Sequence, residues 1–188
     1  MTTYLDAKKD VYNKFDGLQS VSYNCIKYLI NDTNSELIWR LLKYNDQDAW
    51  KLDTEHPDLS KTEKGALIYK GQTNQTDFRV FMDTGAELPW THQATILRIY
   101  PLEVNPSNYI VGNVRIGFEV YSHYEINHLS NYQTRVDTIT QLLLSALNGS
   151  EIGLLGRLYF DGTRSKVSSI GQIPYRGKGI VMCNWITS

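Results

Sequence analysis

The second half of the chain changes its hydrophobic period, and that change limits the fold more than any other feature. Val114, Ile116, Phe118 and Val120 alternate with polar residues such as Arg115 and Glu119, the pattern of a strand with one face buried. Shortly afterwards Tyr132, Val136, Ile139, Leu142, Leu143, Ala146 and Leu147 recur at helical spacing, and Asn148 and Gly149 supply a left-handed stop. A half-buried strand needs a cover and an amphipathic helix needs a surface, so the pair predicts an α+β fold with the helix on one face of a sheet. The polar alternation argues against a parallel sheet buried on both faces.

The remaining segments fit that frame. Residues 94–100, 154–160 and 179–187 read as further strands and residues 78–82 as a short one, giving an antiparallel sheet of about four to five strands. The long helix is expected at 131–147. Pro101 and Pro106 predict a looped connection after the first strand, and the Gly- and Ser-rich stretch before Pro174 and Gly177 reads as a loop. The N-terminal third is expected to be helical: Val21, Cys25, Tyr28 and Leu29 share one helix face, Leu37, Ile38, Leu41 and Leu42 another after a break at residues 31–35, and Ser60 with Glu63 forms a capping box. We expect a single α+β domain over 1–188, with 1–17 an arm and 18–70 a helical subregion; a chain of this length buries roughly 70% of its unfolded surface.

Composition narrows the function classes. Apolar residues at 41% and charged residues at 21% are ordinary globular usage, and a net charge of -1 gives no bulk attraction to nucleic acid or an anionic membrane. No stretch approaches the length of a membrane span. Cys25 and Cys183 sit in apolar-periodic segments and read as buried thiols. His56 and His92 lie in polar connectors and read as solvated loop residues, while His123 and His128 with Glu125 between them match no metal-binding spacing. Asp46, Asp48 and Asp53 near Trp50 read as cap and surface carboxylates. There is no nucleophile elbow, and the run from Gly171 to Lys178 lacks the spacing and the hydroxyl residue of a phosphate loop. We therefore expect a protein that is not an enzyme, with no catalytic, cofactor-binding or metal-binding residues. Arg157, Arg164, Lys166, Arg176 and Lys178 near the C-terminal strands form a candidate basic surface, suited either to phosphate contacts or to a solvated sheet edge. Thirteen tyrosines and four tryptophans suit protein interfaces, and half-buried packing explains them equally well.

The order of elements from Val114 to Ser188 resembles the tail terminator proteins of long-tailed bacteriophages, small α+β subunits at the head-proximal end of the tail tube. The resemblance rests on Arg115 to His123, on the helix with Arg135, Ile139 and Leu142 to Leu147, on Asn148 to Ile152, on Leu158 to Phe160 and on Tyr175 to Val181, and covers about two-fifths of the chain. It implies a homohexameric ring that caps the tail tube, stops its polymerisation and offers a surface to the head-closure complex. The implied partners are copies of the chain itself, the tail tube protein and a head-closure or connector protein, with no membrane and with nucleic acid only as the contents of a lined channel. The implied location is the virion neck, with the host cytoplasm during assembly. Within this reading Gly71, Gln72, Thr73, Asn74, Gln75, Thr76 and Asp77, and also His123, Tyr124, Glu125, Asn127 and His128, are candidate docking loops. Another head-tail connector subunit, such as a head-closure protein, is the near alternative, and a ligand- or nucleic-acid-binding module is the distant one.

Overall fold

The structure is a computed structural model that describes residues 20–71, 76–83, 92–106, 111–152, 156–160, 165–171 and 173–187. The expected arm at 1–17 lies outside the described residues. Helix α1 (Val21–Asn31) leads through a 3-10 turn (Thr33–Ser35) into α2 (Glu36–Lys43). Asp32 accepts a bond from the Asn34 amide at the 3-10 turn, and Trp39 Nε1 donates to the Leu29 carbonyl at 3.0 Å near the end of α1. These two bonds set the angle between the helices by satisfying groups that a helix end leaves without partners. Helix α3 (Lys61–Ala66) starts on the predicted capping box, with Ser60 and Glu63 each bonded to the other's backbone amide. Lys64 returns α3 to the core: its buried ammonium meets Glu36 Oε1 at 2.5 Å and the Ile30 carbonyl at 3.3 Å.

The sheet contains β1 (Val80–Phe81), β2 (Thr95–Pro106), β3 (Val111–His123), β4 (Leu158–Tyr159), β5 (Lys166–Ile170) and β6 (Tyr175–Thr187). The order is β1-β2-β3-β6, with β4 and β5 both paired to the far edge of β6. Every pairing is antiparallel except that of β1 with β2. Helices α1 and α2 lie over β2, and α4 (Arg135–Leu147) lies over β3 and β6. All three cover the same face. Val114, Ile116, Phe118 and Val120 are fully buried there against Ile139, Leu143 and Leu147, as the two periods require. Each such side chain contributes about 1.5–3 kcal/mol of transfer free energy.

Three elements depart from expectation. The long helix begins at Arg135, because residues 128–134 fold into a turn closed by a bridge between His128 and Thr134, and Thr134 caps the helix through the Asp137 amide. Strand β2 continues through Pro101 to Pro106; its register with β3 shifts between Pro101 and Glu103, and on its other edge β1 pairs only Leu97 and Arg98. Strand β5 forms where a loop was expected, hydrogen-bonded to Gly177–Val181 of β6.

The opposite sheet face is built from aromatic rings laid over glycines. A Cβ on Gly117 would stand 3.0 Å from the Tyr100 ring, and one on Gly177 would stand 2.9 Å from the Val120 carbonyl and 2.8 Å from Tyr121. The Tyr100 and Tyr121 hydroxyls both donate to Glu119, at 2.6 and 3.1 Å. Burial, reinforced by the Glu119 charge, pushes the Tyr121 hydroxyl up to about 12. Because the Gly177 obstruction includes backbone, Gly177→Ala should destabilise the protein by about 1–3 kcal/mol in urea unfolding. Gly65, where an added Cβ would meet nothing within 4 Å, is the control; Gly65→Ala in α3 should be neutral or stabilising by up to about 1 kcal/mol.

Candidate functional site

The connector between β3 and α4 carries five of the predicted docking residues. Strand β3 ends at His123, a 3-10 turn follows (Tyr124–Ile126), and the chain then turns back at residues 127–134 to enter α4. The structure divides these residues by role. His123 and Asn127 are buried, while Tyr124, Glu125 and His128 are exposed. The His123 ring lies against Tyr124 and Tyr175, and Asn127 accepts the Arg135 amide on its carbonyl at 2.7 Å and the Val136 amide on its side chain at 3.2 Å. Those two residues position the surface; the other three form it. Of the earlier loop, Gly71, Thr76 and Asp77 are described, and Gln72, Thr73, Asn74 and Gln75 lie outside the described residues.

Arg135 fixes this connector. Its side chain is fully buried, and Nε donates to the Ile126 carbonyl at 3.0 Å, Nη1 to the Leu41 and Tyr44 carbonyls at 2.7 Å each, and Nη2 to the Asp46 carbonyl at 2.7 Å. The Leu41 and Tyr44 carbonyls belong to the C-terminal end of α2, where the helix dipole favours a cation. Burial lowers the guanidinium to about 10, only partly offset by the nearby Asp46 charge, so it remains protonated at neutral pH. The connector is further tied to residues 46–50: Ser130 donates its amide to Gln47 at 3.0 Å and its hydroxyl to Asp48, and Trp50 Nε1 donates to the Ser130 hydroxyl at 2.9 Å.

The exposed side of this assembly borders a groove of about 560 Å³, lined by Tyr124, His128, Thr134, Asp137, Arg176 and Lys178 among others. Two of the predicted basic residues, Arg176 and Lys178, thus meet the predicted docking connector. Lys178 is paired with Asp137 at 2.5 Å, and that ammonium, followed by the Thr134 hydroxyl, holds the Asp137 carboxyl below its ordinary range. Lys166 sits at the start of β5 on the opposite sheet face, Arg157 pairs its backbone with Glu151, and Arg164 lies outside the described residues. The basic residues therefore do not make one patch among the described residues.

Large apolar groups are exposed around the groove. Tyr124 is half exposed, Ile173 nearly fully, and the Tyr124 amide donates to the Pro174 carbonyl at 2.9 Å. Tyr132, in the 128–134 turn, is fully exposed and holds φ at 65°, a left-handed backbone that costs a bulky residue roughly 1–2 kcal/mol.

Of the two histidines expected to be solvated, His92 is exposed and His56 is not. His56 is buried, its Nε2 is 3.0 Å from Asp46 Oδ2, its Nδ1 is 2.9 Å from Asp53 Oδ1, and its ring packs edge-on against Tyr44. The partners lie three and ten residues away in a connector without periodicity, so spacing alone does not reveal them. Both cysteines are free and buried as expected, and burial pushes the Cys25 thiol up to about 12. Among the described residues no group of three or more His, Cys, Asp and Glu side chains is placed to hold a metal ion, and no helix is long and apolar enough to cross a membrane.

The YomW family matches residues 35–180, more than half of the chain. The chain belongs to the YomW family. This is a phage-related family. No curated protein matches the chain. The YomW match begins at the end of the 3-10 turn before α2 and runs into β6, so it contains Arg135, the carbonyls it binds, the docking connector and both basic residues of the groove.

Removing the guanidinium would strand four carbonyls that share it. Arg135→Met should lower stability by about 3–5 kcal/mol in urea unfolding, with amide exchange rising at residues 44–46 and 126–130. Arg135→Lys, a point donor in place of a planar fork, should recover less than half of the loss. Unchanged stability in Arg135→Met would show that the clamp does not hold the connector.

Proposed function

We propose that this YomW-family chain is a structural, non-enzymatic subunit of a tailed-phage particle that works by self-association. On this reading it forms a homohexameric ring at the head-proximal end of the tail, ends tail-tube growth and joins tail to neck. The observation that supports it most is the exposure of Tyr124 and Tyr132 on a connector tied down by Arg135, with the exposed Ile173 next to Pro174, whose carbonyl accepts the Tyr124 amide. A fully exposed tyrosine in a strained backbone lowers the stability of the isolated chain with no packing in return, which makes sense where a partner covers it. Aromatic anchors on a pre-ordered surface are the usual centres of binding energy. The phage relation of the family and the strand-helix-strand order shared with tail terminators support the choice of particle position.

Strand β2 adds a second surface of the same kind. Among the described residues no strand pairs with its outer edge beyond Arg98. Pro101 and the register shift blunt that edge against indiscriminate pairing, so contact there must be specific.

Native mass spectrometry and cryo-electron microscopy of the purified protein, alone and with tail tube protein, should show a closed ring that binds the tube end. A monomer under both conditions would sink the proposal, and a ring that binds head-closure protein but not tube would move the subunit to the other side of the joint. Tyr132→Asn, which keeps a residue tolerant of left-handed backbone, should weaken ring assembly by about thirtyfold or more. The same substitution should leave the isolated chain as stable as wild type or more stable by about 1 kcal/mol.

A further inference from the structure

His56 is the best-defined ionisable group outside the proposed interface. A carboxylate is an acceptor only, and a neutral imidazole has a single N–H. With a carboxylate oxygen within hydrogen-bond distance of each ring nitrogen, His56 satisfies both contacts only when both nitrogens carry protons. The two carboxylates come from opposite arms of the same connector. Asp46 follows α2 and carries Arg135 on its backbone carbonyl, while Asp53 holds the turn into His56 by accepting the His56 amide at 2.8 Å and the Glu55 amide at 3.0 Å. We propose that Asp46, His56 and Asp53 form a pH-sensitive latch that closes the connector over residues 46–56 when the imidazole is doubly protonated and loosens it as pH rises.

The neighbouring charges are consistent with that role. Tyr44 contributes a ring edge, Asp48 feels the imidazolium through space and is itself paired with Lys51 at 2.8 Å, and Arg135 reaches the Asp46 carbonyl. Arg40 of α2 meets Asp58 beyond the latch at 3.3 Å. Burial of the ring opposes protonation, but the bonds to Asp46 and Asp53 and their charges outweigh it, so the His56 proton is held above the ordinary imidazole value. The sign follows from linkage. The closed form binds the proton more tightly than the open form, so the latch is fully effective below the open-form value and is lost as pH rises through the closed-form value. Opening is felt at the connector between β3 and α4, because Gln47, Asp48 and Trp50 of the latched segment are the partners of Ser130. The latch is a property of the single chain and does not depend on what that chain assembles with.

Nitrogen chemical shifts of the His56 ring in labelled full-length protein report its protonation directly. They should show a doubly protonated ring with a midpoint above about 6.5, the ordinary imidazole value. Amide exchange of residues 46–56, corrected for intrinsic rates, should show an opening constant that rises by up to about tenfold per pH unit through that midpoint. Asp53→Asn should move the midpoint down, and His56→Gln should give a pH-independent opening constant. A ring that is neutral at the ordinary imidazole value, or a wild-type exchange profile flat with pH, would overturn the latch. Should His56→Gln fail to fold, the wild-type titration and Asp53→Asn still decide the matter.

Discussion

The Arg135 guanidinium is buried without a carboxylate partner, and four backbone carbonyls from three stretches of chain take its place. A buried cation is expensive, and this one is tolerable because its planar fork has five donors to distribute and the α2 carbonyls lie at the negative end of a helix dipole. The consequence is geometric. The end of α2, the segment after it and the turn after β3 cannot move independently, since each supplies an acceptor to the same group. The connectors that carry exposed groups at this end of the molecule are therefore tied to one another and to the end of α2 through one buried group.

The sheet divides its two faces by a different device. On the helix-covered face, large apolar side chains alternate along β3 and interdigitate with α4. On the other face, Gly117 and Gly177 leave room for Tyr100 and Tyr121 to lie flat, and Glu119 collects both hydroxyls. That arrangement closes the open face with rings instead of a second helical layer. Edge strands are handled locally: β2 carries proline and a register shift, and β5 begins with a lysine and carries Ser168 and Ser169 side by side.

What was legible in the sequence was whatever is encoded by local repetition. The α4 helix, strand β3, the two N-terminal helices and the Ser60–Glu63 capping box all follow from spacing within one element. Strand β5 was not legible because Lys166, Val167, Ser168 and Ser169 have no apolar face; it is a strand because β6 offers it a hydrogen-bonding edge. The extension of β2 through Pro101 was hidden by the prohibition on proline in sheets, which applies only where its missing amide would be needed. Arg135 left one signal: it stands four residues before Ile139 on the apolar stripe of α4, a position where a cation must find buried acceptors. For the basic residues, proximity in sequence misled, since Arg176 and Lys178 reach the groove while Lys166 and Arg157 do not.

The end of the molecule that carries the groove combines features that conflict within an isolated chain. Its backbone is strained at Tyr132, its apolar side chains face water, and beneath them the polar groups of Asn127, Ser130 and Arg135 are satisfied internally. Strain and exposure at a mobile loop would relax; here the bridge between His128 and Thr134, the Arg135 bonds and the Ser130 contacts prevent relaxation. A surface kept rigid against its own relaxation loses little conformational entropy when another surface covers it. Rigidity built from charge-assisted bonds, unlike rigidity from apolar packing, also responds to protons, because His56 holds the neighbouring segment through groups that titrate.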